Sequence, residues 1–289
     1  MSITTSTTGN DTATDFSRLY HERPLARVAL PTGVEMAYVD EGLSDDPAVV
    51  LIHGLSDSSW SFAGVVPRLA GFRTIAVDLR GHGSSSAPAG GYRPEELADD
   101  VAALMDHLGI DRATVVGHSL GTMVARAFSL SYAARVNRLV LVSTIATPAN
   151  EAAAELSVAV AEFTDLVPED FVREFQESTL AEAAPDGFFE RVISESLRLP
   201  THVWREAVAG IVSADDSDRL GEITVPTLLV WGDRDAWFPR EEQDRVAAAI
   251  PGARLAVLEG AGHAPHWERQ AEVASVLAEF LQEAGDTGR

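Results

Sequence analysis

The chain has 289 residues, no cysteine, and a formal net charge of -22 in which all 22 basic residues are arginine. These counts exclude disulfides, thiolate nucleophiles, zinc–thiolate sites and iron–sulfur clusters, and the missing lysine removes Schiff-base and P-loop chemistry. The negative field disfavours nucleic acid and anionic membrane surfaces, whose binding depends on cationic side chains. No apolar run approaches the roughly 18 residues of a membrane span.

Residues 1–17 are rich in Ser and Thr, lack an apolar core of the secretory type, and read as a polar tail of a cytoplasmic protein. Val28–Leu30 and Glu35–Val39, separated by Pro31-Thr32-Gly33, read as a hairpin. Ala48–Ile52 is a continuous apolar run, as expected of a strand buried on both faces. Thr74–Val77, Ala113–Val116, Leu139–Val142, Thr227–Val230 and Leu255–Leu258 have the same look. Between strands, Pro94–Leu108 places Leu97, Val101, Leu104 and Leu108 on one helical face. Strands alternating with helices predict an α/β fold with a doubly wound, mainly parallel sheet.

The alternation fails between about Pro148 and Glu222. Apolar spacings at Phe171/Phe175, Phe188/Val192 and Val208/Ile211/Val212 predict helices there. The stretch is too long for one crossover. The expected organisation is therefore a core of residues 18–147 and 223–289, with 148–222 inserted as a helical cap.

Gly117-His118-Ser119-Leu120-Gly121 is a G-x-S-x-G motif between an apolar strand and a helix. A sharp strand-to-helix turn there would strain the serine backbone and hold Oγ clear of the sheet. Serine is a weak nucleophile until a base takes its proton. His263, after the last strand and the small-residue loop Glu259–Gly262, is the expected base. His266 competes for that role, or else lines the pocket beside Trp267. The base needs an orienting carboxylate. Asp233 and Asp235, after the strand ending at Val230, both qualify, and Asp235 is preferred because Asp233 is nearer the strand end. Backbone N–H groups of Leu55 and Leu120 are the expected oxyanion donors.

With Asp78-Leu79-Arg80-Gly81-His82-Gly83-Ser84 added, these motifs resemble the α/β-hydrolase superfamily in its cap-bearing form across residues 27–282. The resemblance implies an eight-stranded sheet, a Ser119–Asp235–His263 triad and no cofactor or metal. Members carry out ester, lactone and C–C bond hydrolysis as well as cofactor-free perhydrolysis. Ser119 argues against the dehalogenase and epoxide hydrolase branches, which carry Asp at the elbow. The expected partner is a small, largely apolar ester or lactone, met by a monomer or homodimer. The alternatives are C–C hydrolysis or perhydrolysis by the same triad, or a ligand sensor with vestigial activity. Trp60, Phe62, Ile145, Trp204 and Trp237, with His266, are the candidate pocket residues.

Overall fold

The computed structural model describes residues 24–283. The polar segment 1–17 lies outside them.

Eight strands form one sheet: β1 (Leu25–Ala29), β2 (Glu35–Glu41), β3 (Ala48–Ile52), β4 (Arg73–Asp78), β5 (Ala113–His118), β6 (Val136–Val142), β7 (Thr227–Gly232) and β8 (Arg254–Leu258). Their order across the sheet is β1-β2-β4-β3-β5-β6-β7-β8. β1 and β2 pair antiparallel, opposing Val28 to Met36, and β2 also runs antiparallel to β4. Every remaining neighbour is parallel. The apolar runs locate the middle of each strand. Ladder pairing carries β1 back to Leu25, an exposed leucine in a mixed sequence, and β4 to Arg73, a charged residue outside the apolar run.

The continuous apolar runs have a direct structural reason. Alternate side chains of one strand enter different cores. Val50, Ile52, Val115, Leu139, Leu141 and Leu229 face one core. There they meet α1 (Pro94–His107), α2 (Leu120–Ser131) and α7 (Arg240–Ala249) through residues such as Leu97, Phe128 and Val246. Val49, Leu51, Val116, Val140 and Val230 face the other. That core is closed by Phe62 and by Leu277 and Phe280 of α9 (Gln270–Gln282), which follows the single turn α8 (Pro265–Glu268). Each such aliphatic side chain contributes about 1.5–3 kcal/mol by leaving water.

Between β6 and β7 lie four helices: α3 (Glu151–Ala161), α4 (Glu169–Glu177), α5 (Phe188–Leu197) and α6 (Thr201–Ser213). Trp204 of α6 is fully buried and takes Phe163, Phe171 and Phe175 edge-on, at ring-centroid distances of 6.1, 5.6 and 5.4 Å. This aromatic cluster explains the Phe171/Phe175 spacing, while Phe188 and Val192 pack in a separate cluster with Trp267. Among the described residues, no helix is long and apolar enough to cross a membrane.

Candidate active site

β5 ends at His118 and α2 begins at Leu120, so Ser119 alone makes the turn. Its backbone has φ 50° and ψ −117°, a region that costs a non-glycine residue on the order of 1–3 kcal/mol. The surroundings impose it. The Ser119 N–H donates to the Val142 carbonyl at 3.1 Å, and Thr122 donates its N–H and hydroxyl to the Ser119 carbonyl at 2.8 and 2.7 Å. A Cβ at Gly117 would sit 2.1 Å from the Gly121 carbonyl oxygen, and one at Gly121 would sit 2.2 Å from that of Ile52. Only glycine lets strand and helix approach this closely.

His263 lies on the loop after β8 and is 5% exposed. Its Nε2 stands 2.9 Å from Ser119 Oγ, and its Nδ1 stands 3.1 and 3.0 Å from the two carboxylate oxygens of Asp235. Asp235 Oδ1 also accepts the N–H groups of Trp237 and Phe238 at 2.9 Å, which fixes the carboxylate against the ring. Asp233 points elsewhere and accepts the Gly260 N–H at 2.6 Å. The structure thus brings together Ser119, His263 and Asp235, and leaves Asp233 closing the turn between the β7 and β8 loops.

Among the described residues, the N–H groups of Leu55 and Leu120 meet no intramolecular acceptor. Leu120 opens α2, where the first N–H groups have no helical partner. The Leu55 loop is set from below by His53. Its ring hydrogen-bonds the Gly54 carbonyl through Nδ1 at 2.7 Å and accepts the Leu79 N–H at Nε2 at 3.0 Å. A carbonyl only accepts, so the proton is on Nδ1. Burial pushes His53 down to about 4, the form that this pair of bonds requires. Ser56 follows at φ 62°. It is tied to two helices of the inserted segment, because Gln176 Nε2 donates to Ser56 Oγ at 3.0 Å and to Ser196 Oγ at 2.8 Å, while the Ser196 hydroxyl donates to the Ser56 carbonyl at 2.9 Å.

Ser119 and His263 open onto a cavity of about 60 Å³ whose wall is mostly apolar. Of the residues anticipated from sequence, Ile145, Trp237 and Leu55 line it. Trp60, Phe62, Trp204 and His266 stand elsewhere. Trp204 is spent in the aromatic cluster described above. Phe62 is a core residue of the opposite sheet face. Trp60 packs on Phe188 and under the Arg191 guanidinium, beside a separate surface cleft. His266 is fully buried, with Nε2 2.8 Å from Ser61 Oγ. Sequence hydropathy finds large aromatics but not the face they present. Missed were Met123, Leu156, Phe175, Ile211 and Phe238, which also line the cavity. Phe175 and Ile211 enter the sequence argument only as helical spacing. Phe238, three residues after Asp235, presents its ring edge to His263 at 4.7 Å.

Asp57, His118 and His266 offer ligand chemistry of the metal-binding type. The rings of His118 and His263 are 5.2 Å apart, and His118 Nε2 lies 3.0 Å from the His263 carbonyl.

Known proteins resemble this chain in sequence and fold. Residues 47–270 match the family model described as alpha/beta hydrolase fold. A 2-hydroxy-6-oxononadienedioate/2-hydroxy-6-oxononatrienedioate hydrolase from Burkholderia vietnamiensis is 30% identical over 268 residues, covering 87% of this chain and 92% of the relative. The enol-lactonase from Burkholderia xenovorans superposes with a TM-score of 0.79 at 27% identity, covering 89% of this chain and all of the other. A thermophilic esterase from Thermogutta terrifontis superposes with a TM-score of 0.79 at 29% identity, covering 89% and 98%. Eight strands in hydrolase order, a serine at the turn after β5 and a family match over most of its length place the chain in the α/β-hydrolase family.

Proposed function

We propose that the protein is a serine hydrolase of small, neutral, largely apolar carboxylic esters or lactones, working through an acyl-enzyme. The observation that carries this reading is the unbroken relay from Ser119 Oγ through His263 to Asp235 at the wall of an apolar cavity. Ser119 Oγ attacks the carbonyl carbon while His263 Nε2 takes its proton. Asp235 holds the Nδ1–H and stabilises the imidazolium. The N–H groups of Leu55 and Leu120 receive the oxyanion, each worth roughly 10²–10³ in rate. His263 then protonates the leaving alkoxide. A water that gives its proton to His263 next attacks the acyl-enzyme, and collapse returns Ser119. Residues 148–222 serve as a cap, supplying Asn150, Leu156, Phe175 and Ile211 to the cavity.

The cavity wall favours esters over the C–C substrates of the Burkholderia vietnamiensis relative, whose name specifies dioates. Besides His263, no described residue of the lining carries a basic side chain. Its polar members are largely engaged: Asn150 caps α3 by accepting the Ala153 N–H at 2.9 Å, and the Thr179 hydroxyl donates to the Gln176 carbonyl at 2.7 Å. A dicarboxylate would enter without a counter-ion, at a cost of several kcal/mol per buried charge.

The test is hydrolysis of p-nitrophenyl esters of graded chain length, with a dienedioate C–C substrate alongside. The expected result is turnover of short esters by the wild type, a loss of roughly 10³-fold or more in Ser119→Ala, and little action on the dioate. Preference for the dioate would overturn the substrate reading, and unchanged activity in Ser119→Ala would overturn the nucleophile.

A further inference from the structure

Beside the three segments that carry the proposed chemistry stand three further buried ionisable groups. Asp57 follows Leu55 by two, His118 immediately precedes Ser119, and His266 follows His263 by three. They are 2%, 3% and 0% exposed. A potential ligand atom from each lies within 4.8 Å of those of the other two. In each residue one buried atom meets no partner among the described residues: Asp57 Oδ2, His118 Nδ1 and His266 Nδ1.

The partners of the remaining atoms decide what these three present. Asp57 Oδ1 accepts the Ser58 N–H at 2.9 Å. His118 Nε2 faces the His263 carbonyl at 3.0 Å, so its proton is there and Nδ1 is a lone pair. Ser61 Oγ receives the Trp267 indole N–H at 2.9 Å and lies 2.8 Å from His266 Nε2. With the His266 proton on Nε2, its Nδ1 is a lone pair as well. Asp57 Oδ2, His118 Nδ1 and His266 Nδ1 are then buried atoms without a protein partner among the described residues. A buried acceptor left so is destabilising. Asp57 stands in no ion pair among the described residues, and the carboxylates of Asp78 and Glu195 add to the negative potential around it.

We propose that Asp57, His118 and His266 together bind one divalent transition-metal ion of the zinc class. Two neutral imidazoles and a carboxylate are a donor set suited to such ions. In both histidines the second ring nitrogen is already hydrogen-bonded to an oxygen, the arrangement that orients metal-bound imidazoles. The ion plays no part in the bond-breaking steps. It fastens the Leu55 loop, the elbow and the His263 loop to one another from beneath the triad. The site stands independently of the proposed ester substrate, and its test reads metal, not turnover.

The experiment is expression in zinc-supplemented medium, exchange into chelator-washed buffer, and elemental analysis of the full chain. About one zinc per chain is expected in the wild type and about a tenth or less in Asp57→Asn and His266→Gln. X-ray absorption of the zinc-loaded wild type is expected to show two imidazoles with Zn–N at about 2.0–2.1 Å. A wild type without stoichiometric zinc overturns the proposal and leaves a protonated Asp57 with a buried water to satisfy the same atoms. Zinc retained in both variants overturns it too, since the ion would then sit on the acidic surface. Should the variants fail to fold, a zinc shell without two imidazoles in the wild type has the same force.

Discussion

Ser196→Ala tests whether the inserted helices hold the oxyanion loop. Ser196 Oγ accepts from Gln176 Nε2 at 2.8 Å and donates to the Ser56 carbonyl at 2.9 Å, and both residues are fully buried. Alanine removes the donor to that carbonyl. One buried acceptor left unsatisfied costs about 1–3 kcal/mol, which for a domain of this size lowers Tm by about 2–5 °C. Ser56 sits at φ 62°, a strained value that the network maintains. Freed from it, the loop relaxes and the Leu55 N–H leaves the position where the oxyanion forms. The ceiling is the roughly 10²–10³ of one oxyanion donor, and partial displacement should cost about 10–100-fold in kcat with KM within about twofold, because the interaction is made only in the transition state. The assay is steady-state hydrolysis of a short p-nitrophenyl ester alongside thermal unfolding. A double-mutant cycle with Gln176→Leu should show a coupling of about 0.5–3 kcal/mol, since the two side chains share partners. A lowered Tm with unchanged kcat would refute the reasoning and leave the network as packing alone.

Gly121→Ala would place a Cβ 2.2 Å from the Ile52 carbonyl oxygen and 2.7 Å from that of His53, both backbone atoms. Because neither can rotate away, a loss of about 3 kcal/mol or more is expected by urea unfolding; a midpoint unchanged from wild type would show that the elbow has slack. Burial holds His53 down to about 4 and His82 to about 3, both below the ordinary 6.5. The unfolded chain therefore binds these protons first, so the stabilisation is whole above pH 6.5 and is lost as pH falls toward the folded values; for His53 alone this is about 3 kcal/mol. Urea midpoints should fall steadily between pH 6.5 and 4, and a flat profile would contradict neutral burial. Ile145→Ala enlarges the apolar cavity at a buried wall residue. The preferred acyl chain should lengthen by one or two carbons, each methylene being worth about 1 kcal/mol, as read from kcat/KM across an ester series.

The sheet was legible in the sequence because a strand with two covered faces has no polar alternation to dilute it. Ala48–Ile52 is recovered to the residue. The edges of β1 and β4 were not legible, because Leu25 joins by backbone pairing and Arg73 adds to it an ion pair with Asp40 of β2, neither of which marks an apolar run. The juxtaposition of Ser119, Asp235 and His263 was legible for a different reason: they follow the strand runs of β5, β7 and β8, in loops rich in small residues. The two competitors, Asp233 and His266, lie two and three residues from the groups they rival. Sequence distance could rank them only by loop character, whereas the structure separates them by what each bonds: a backbone N–H for Asp233 and a hydroxyl for His266. The pocket was the least legible part. Trp60 and Trp204 have the bulk and hydropathy of pocket walls, but Trp204 closes an aromatic cluster and Trp60 lies under an arginine.

The order of strands explains why these loops meet at all. The chain leaves β3 in one direction to make β4, then returns to the other side of β3 to make β5 through β8 in sequence. The reversal lies at β3 and β5. Loops leaving the carboxyl ends of strands diverge at such a point and open a crevice between them. The loop after β3 brings Leu55 to one side of that crevice, and the turn after β5 brings Ser119 to the other. β6 separates β5 from β7, and its end contributes Ser143 at φ 51° and then Thr144, neither a carboxylate. The carboxylate facing His263 therefore comes from the loop after β7. His263, on the loop after the edge strand β8, must pass the ends of β7 and β6 to reach Ser119, along a loop of small residues. Gly232 shows how closely that loop passes: a Cβ there would lie 2.2 and 2.4 Å from the carbonyl oxygens of Ala261 and Gly262. A side chain at residue 232 would lift the His263 loop away from Ser119 without touching either side chain, so glycine at the end of β7 is as much a condition of the Ser119–His263–Asp235 contacts as the three residues that form them.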